Sequence, residues 1–309
     1  MTILKANGDH TRPSHVLVVG AGRIGQALAH LIRSGNSGAA VQLWDNRAGV
    51  VPDQVSLVEA LRGATIVFYC TPSWALRSAL SASRAHLEPA AAIISLCKGL
   101  EPESGMTSAE ILTELVPDHP WAVLGGPMMA EDLERDLPGH GIVASDHLTI
   151  FSMIEPLFQG TRLSLEAATQ PTAIAVAGVL KNIYALLVGL SVGLHWTATE
   201  QQLLLDQAFK EMIDVGHHLN IEDTIMEGTA GVADFIATAS NPSSRNRQSG
   251  IELATTDQID TPSEALRSLP PLTKRVDDTR RFPLLQSLIE IVIHHRAAAK
   301  VFPRPVASA

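Results

Sequence analysis

The chain has 309 residues, 46% hydrophobic and 18% charged, an ordinary globular composition and enough length for about two domains. Lysine and arginine number 23 against 32 aspartates and glutamates, and the resulting charge of −9 argues against nucleic acid or an anionic membrane as the main partner. A small anionic substrate remains open, because a few local cations suffice to hold one.

Residues 1–14 are polar, lack the apolar run of a signal peptide and read as a flexible leader. His15 to Val19 (HVLVV) reads as a fully buried strand, followed by glycines and a helical stretch that ends at the turn residues Ser34 to Gly38. Further strands are expected at Val41–Trp44, Ala64–Cys70, Ala91–Leu96 and Ala122–Leu124, with shorter ones at Gly141–Ala144 and Arg162–Leu165. A helix should follow the turn Thr71-Pro72-Ser73. Strands alternating with helices imply a parallel sheet covered on both faces.

The pattern changes near Pro171. Helical signal then dominates, at 171–195, about 199–219, 224–240 and about 284–299, while Thr255 to Pro283 is rich in Pro, Asp and Ser and gives no clear element. The apolar stretch Val176 to Leu194 is near membrane length, but Lys181 and Asn182 interrupt it, so it reads as a buried core helix. The boundary falls near 168: an N-terminal Rossmann-type doubly wound parallel sheet over 15–168, then an all-α substrate and catalytic domain over 169–309. With only two cysteines, Cys70 and Cys97, a disulfide framework is excluded and a reducing cytoplasm is the simpler setting.

Gly20-Ala21-Gly22-Arg23-Ile24-Gly25 fits G-x-G-x-x-G directly after a strand and at the opening of a helix. Gly20 would allow the tight turn, Gly22 the approach of a pyrophosphate to the backbone, and Gly25 the close packing of helix on strand. Free N–H groups at the helix start would face the anion. Asp45, in LWDNR, lies at the end of the second strand, where a carboxylate accepts from the adenosine ribose and repels a 2′-phosphate, favouring NAD over NADP. Arg47 is the counterweight, since a nearby cation could hold that phosphate. A solvated turn residue is the plainer reading of Asp45.

Lys181 lies inside AVAGVLKNIYALLVGL. Burial lowers an ammonium's pKa and suits it to proton exchange near neutrality, whereas a lysine that snorkels to the surface would do nothing of the kind. Composition leaves the two even. Asn241 to Arg247 (NPSSRNR) offers arginine forks for a phosphate or carboxylate, although a solvated basic loop is the simpler account. Asp234 is either a helix-start charge or a site residue. Lys98, in SLCKGL, follows the fourth strand, and strand carboxyl ends line the crevice of open α/β sheets. A surface turn lysine is the alternative. The twelve histidines suggest a metal only superficially: HExxH and CxxC are absent, and His217-His218 and His294-His295 are neighbours that diverge on a helix. No nucleophile-elbow pattern occurs.

Taken together, GAGRIGQALA, TPSWALRSAL, CKGLEP, LGGPMMAEDL, AGVLKNIYALLVGL, GTAGVADFIATAS and SSRNRQSG resemble the bacterial NAD(P)-dependent glycerol-3-phosphate dehydrogenase family. The resemblance implies a Rossmann domain, a helical substrate domain, and interconversion of dihydroxyacetone phosphate and sn-glycerol 3-phosphate with NAD, or NADP, as cofactor. It assigns Lys181 as proton donor and acceptor, Lys98 to cofactor and substrate, and Asp234 to substrate and Lys181. Ser244, Arg245 and Asn246 would bind the substrate phosphate, with Arg245 also near the cofactor. Gly126 and Ala130 would lie at substrate and cofactor.

The chain departs from the family at Arg23 and Ile24, where a small polar residue and an aromatic are usual, and at Met128, where a serine beside the substrate is usual. GLGD reads GVAD, an Asn-rich segment is replaced by WTATEQQLLLDQ, and only Glu264 could stand for the C-terminal glutamate-glycine motif. These changes admit a relative acting on another anionic ketone, or a non-catalytic NAD(H)-binding sensor. A homodimer fits the resemblance and the long apolar helix.

Overall fold

A computed structural model describes residues 14–147, 149–256, 259–260, 263–302 and 304; the expected leader, but for Ser14, lies outside them. Seven strands form one sheet: β1 (His15–Val19), β2 (Ala40–Trp44), β3 (Ile66–Tyr69), β4 (Ala92–Ser95), β5 (Trp121–Gly125), β6 (Gly139–Ala144) and β7 (Leu163–Ala168), in the order β2-β1-β3-β4-β5-β6-β7. Between them lie helices α1 (Arg23–Ser34), α2 (Leu57–Leu61), α3 (Ser73–Ser83), α4 (Ser108–Leu115), α5 (Ala130–Leu133) and α6 (Ile150–Ile154). The first five strands are parallel, as expected. β6 runs antiparallel to β5, with β7 parallel to β6. The physical difference is the connection: between β5 and β6 stands only the four-residue α5, whereas a parallel return needs a full crossover.

Alternate residues of each strand face opposite sides, and both sides are covered. Leu17, Val19, Val67, Tyr69, Ile93 and Val123 enter one apolar core. Val16, Val18, Ile66, Phe68, Ile94 and Leu124 enter a second, which includes Ala27, Leu28 and Leu31 of α1. The strand order reverses at β1, between β2 and β3, and this puts a crevice at the carboxyl ends of β1 and β3.

Among the described residues after β7 the regular elements are helical: α7 (Pro171–Gly193), α8 (Ala198–His218), α9 (Asp223–Met226), α10 (Asp234–Ser240), α11 (Arg245–Thr255), α12 (Glu264–Arg275), α13 (Pro283–Val292) and α14 (Ala298–Val301). α7 is buried nearly all round; α8, α10, α11 and α12 pack on it, and it also touches β5. It is long and apolar enough to cross a membrane, yet 94% of its apolar window is buried inside this chain, the core helix that its lysine and asparagine implied. That burial also removes the support it gave to a dimer, since its apolar surface is spent internally.

α11 crosses α7 at close range. A Cβ on Gly189 would lie 2.0 Å from the Arg247 carbonyl oxygen, and one on Gly250 would lie 2.1 Å from that of Leu186. The single helix expected over 224–240 is broken into α9, a π turn over Thr229–Ala233, and α10. α12 carries Pro270 and Pro271 in its interior, which hid it from the sequence pattern.

Candidate active site

Each glycine of the loop meets a different steric condition. Gly20 has φ +102°, and a Cβ there would meet the Cys70 carbonyl oxygen at 2.7 Å. A Cβ on Gly25 would lie 1.9 Å from the Gly20 oxygen, so helix and strand touch here. At Gly22 the same test finds nothing within 4 Å: this glycine leaves open space rather than making room for protein. Gly22 is the N-cap of α1, whose first turn carries no acidic residue, so its amides remain available to an anion. Space, helix end and glycine pattern all fit a dinucleotide pyrophosphate.

Asp45 is buried at the end of β2, not solvated. Its Oδ2 accepts from Ala21 N at 2.8 Å, which ties it to the loop. Arg47 donates to Asp45 Oδ1 from Nε at 2.8 Å and to Oδ2 from Nη2 at 3.1 Å. This guanidinium holds the Asp45 carboxyl below its ordinary pKa. Arg23, exposed at the first turn of α1, pairs with Glu131 and Glu134 at α5, while Ile24 packs half-buried on the second apolar core. Ala130, the first residue of α5, is partly buried.

The second half of the site gathers four elements around one carboxylate. Asp234 opens α10 directly after the π turn, a wide turn of the kind common at functional sites. Lys98, in the turn after β4, donates from Nζ to Asp234 Oδ2 at 2.6 Å and to the Gly126 carbonyl oxygen at 2.6 Å. Lys181, in the middle of α7, donates to Asp234 Oδ1 at 3.1 Å and to Thr238 Oγ1 at 2.7 Å. Gly178, one turn before Lys181, leaves room for the Lys98 stem: a Cβ there would be 3.3 Å from Lys98 Cγ.

Burial pushes the Lys181 ammonium down to about 8, against the pull of Asp234 and with the positive charge of Lys98 adding to the fall. Burial would raise the Asp234 carboxyl, but the charges of Lys181 and Lys98 outweigh it and hold it below its ordinary value. The result is an ionised carboxylate between two ammonium groups, one of which can give up a proton near neutrality.

A chain of amides braces this centre. Asn182 donates to the Lys98 carbonyl oxygen at 2.8 Å, Asn246 donates to Asn182 Oδ1 at 2.7 Å, and Asn246 Oδ1 accepts from Ala265 N at 3.1 Å. Glu264, next to Ala265, accepts from Ser73 N at 2.9 Å and from Ser73 Oγ at 2.5 Å. It therefore joins α12 to the start of α3 above the Lys98-Gly99 turn, and burial raises its carboxyl above the ordinary value. Ser244 is the N-cap of α11 and is buried; Arg245, the next residue, is exposed.

Lys98, Gly126, Lys181, Asn182, Asp234 and Asn246 thus fall into one hydrogen-bonded network. Met128 does not join it. Its side chain is buried in the second apolar core, with its sulfur 3.0 Å from where a Cβ of Gly141 would stand. The sequence reading missed Thr238, although a residue four beyond Asp234 on one helix face was the place to look. It also missed Ser73 as the partner of Glu264.

Fold and site together define a dehydrogenase, with a G-x-G-x-x-G loop after the first strand and a buried lysine–carboxylate pair in the helical half. Residues 50–150 match the model of the NAD-dependent glycerol-3-phosphate dehydrogenase N-terminus, and 171–302 match that of its C-terminus. The chain belongs to the NAD-dependent glycerol-3-phosphate dehydrogenase family. The glycerol-3-phosphate dehydrogenase (NAD(P)+) of Synechococcus is 30% identical over 244 residues, 79% of this chain and 76% of the relative. That of Pseudomonas putida is 27% identical over 322 residues, covering 94% of this chain and 93% of its own. In fold, the glycerol-3-phosphate dehydrogenase of Coxiella burnetii superposes with a TM-score of 0.84 at 21% identity, over 94% of this chain and 98% of the other.

Proposed function

We propose that the chain interconverts dihydroxyacetone phosphate and sn-glycerol 3-phosphate with NAD(H) or NADP(H), using residues 15–168 to bind the dinucleotide and 169–309 to bind and convert the substrate. The observation that carries this reading is Lys181, buried within reach of Asp234 and Thr238 and brought to a pKa of about 8.

A dinucleotide held at Gly20, Gly22 and Gly25 would supply the hydride chemistry, and the chain's own residues handle the proton. In reduction, negative charge develops on the carbonyl oxygen, and Lys181 Nζ delivers the proton that turns it into a hydroxyl. In oxidation, neutral Lys181 takes that proton back. Asp234 holds both lysines in place, and Lys98 adds positive charge where the oxyanion develops, the position at which a preorganised cation contributes most. Arg245, exposed at the start of α11, anchors the phosphate with Ser244 and Asn246 beside it. Arg23, Ile24, Gly20, Gly22, Gly25, Asp45 and Ala130 form the cofactor side, with Gly126 toward the substrate; the Met128 side chain, expected there too, packs into the apolar core instead.

Two competing readings lose ground. The packing of Met128 into the apolar core favours the usual substrate over a bulkier or different ketone, because its bulk is withdrawn from the cleft. The lysine–carboxylate network favours an enzyme over a cofactor sensor, which needs no proton relay. Buried free Cys70 and Cys97 agree with a cytoplasmic setting. Assembly as a homodimer rests on the family resemblance alone.

The test is to mix the protein with NADH or NADPH and dihydroxyacetone phosphate and to follow absorbance. Rapid oxidation supports the reading. Turnover with some other phosphorylated ketone only, or binding without turnover across a ketone panel, selects one of the alternatives.

A further inference from the structure

We propose that Ser268, on α12, is a positioning residue for Lys98: through Leu100 it sets the turn from which the Lys98 ammonium reaches Asp234. The inference rests on the reaction proposed above and names a residue, remote from the reacting atoms, on which the placement of its second ammonium depends.

Lys98-Gly99-Leu100 follows β4 and lies outside any strand or helix, so no regular ladder fixes its backbone. Yet Lys98 Nζ meets Asp234 Oδ2 and the Gly126 carbonyl oxygen, each at 2.6 Å. A flexible lysine stem delivers its tip to one place only if its own backbone is held. Two side chains from the helical half hold it. Asn182 on α7 donates to the Lys98 carbonyl oxygen at 2.8 Å. Ser268 Oγ accepts from Leu100 N at 2.9 Å, across 168 residues of sequence. Gly99, between these two ties, fits closely under α12: a Cβ there would stand 2.0 Å from Glu264 Oε2 and 2.6 Å from Ser73 Oγ.

Ser268 can fix the turn because α12 is itself fixed at both ends. At its start Glu264 accepts from Ser73 N at 2.9 Å, and Ala265 N donates to Asn246 Oδ1 at 3.1 Å. At its end Arg275 donates to the Gly105 carbonyl oxygen at 3.0 Å and to Glu110 Oε2 at 2.9 Å. Ser268 lies between these ties and is buried, as is Leu100. Without the serine hydroxyl the Leu100 amide would be left buried and lacking its acceptor, and the turn would shift to satisfy it. The ammonium, several bonds further out, would then lose its place between Asp234 and Gly126. With it would go the positive charge that stabilises the developing oxyanion.

The experiment is a double-mutant cycle between Ser268 and Lys98, read as kcat for dihydroxyacetone phosphate, with cofactor Kd from fluorescence titration and assays run well below every Tm. Ser268→Ala should lower kcat about tenfold and leave the cofactor Kd within about twofold. Ser268→Cys, which keeps the size and weakens the acceptor, should lower kcat about threefold. Lys98→Met should lower it more than either. Made on Lys98→Met, each Ser268 substitution should cost less than about twofold, because the group it positions is gone. An unchanged kcat in Ser268→Ala overturns the proposal. So does the same loss with and without Lys98, which is what a purely structural serine would give, or a Lys98→Met protein no slower than Ser268→Ala. If the folded wild type binds the cofactor but does not reduce dihydroxyacetone phosphate, the reaction proposed above fails and this inference fails with it.

Discussion

Lys181 and Asp234, 53 residues apart in sequence, meet at 3.1 Å in a setting where neither touches bulk water, their exposures being 5% and 1%. Such a pair is costly to bury unless each charge has partners. Here the carboxylate also serves Lys98, and the ammonium also serves Thr238. The proton exchange proposed for Lys181 would account for that expense better than stability does.

Replacing Asp234 by asparagine keeps the shape and removes the charge. Two ammonium groups then face each other without a counterion, so the protein should lose about 3–5 kcal/mol of stability. The Lys181 pKa should fall further below about 8, since Asp234 is the group that raises it. Denaturant unfolding measures the first effect. The second appears as a shift of the pH–rate profile toward acid, with kcat down roughly a hundredfold or more. A profile left where it was would mean that Asp234 does not act on the titrating group.

The pH dependence should have opposite signs in the two directions. Reduction needs protonated Lys181, so its rate should fall as pH rises through about 8; oxidation needs the neutral amine, so its rate should rise over the same range. Initial rates in both directions across that interval check the sign. Parallel profiles would point to a different titrating group.

The crossing of α7 and α11 gives a prediction far from the chemistry. Gly250→Ala must push a methyl toward the Leu186 carbonyl oxygen, 2.1 Å from the ideal Cβ position, so α11 has to move. Overpacking of this kind costs about 1–3 kcal/mol. The same helix begins with Arg245 and Asn246, so KM for dihydroxyacetone phosphate should rise while the cofactor Kd stays within about twofold. Thermal unfolding and steady-state kinetics read the two effects.

Much of this fold was legible in the chain. Short β-branched runs from HVLVV onward marked the strands, because a sheet buried on both faces leaves no polar alternation to confuse the pattern. The glycine loop was legible because each of its glycines answers a separate steric demand. The reversal at β6 was not, since strand direction is set by the connection and not by the strand residues. α11 looked like a basic loop because its start, Ser-Arg-Asn-Arg, is polar on every side; only packing against the glycines of α7 makes it a helix. α12 was masked by Pro270 and Pro271.

The site was legible as a set of residues but not as a network. A lysine in an apolar helix suggested either burial or snorkelling, and only the positions of Asp234 and Thr238 decide for burial. Asp45 was legible as an acid at a strand end, but not the fact that its acceptor positions are taken by its own neighbours.

The most direct test of the account is the Lys181→Ala protein, assayed for reduction of dihydroxyacetone phosphate and titrated with reduced cofactor in parallel. The account predicts a loss of turnover of about a thousandfold, with cofactor affinity within about threefold of the wild type. Turnover near the wild-type rate would contradict it.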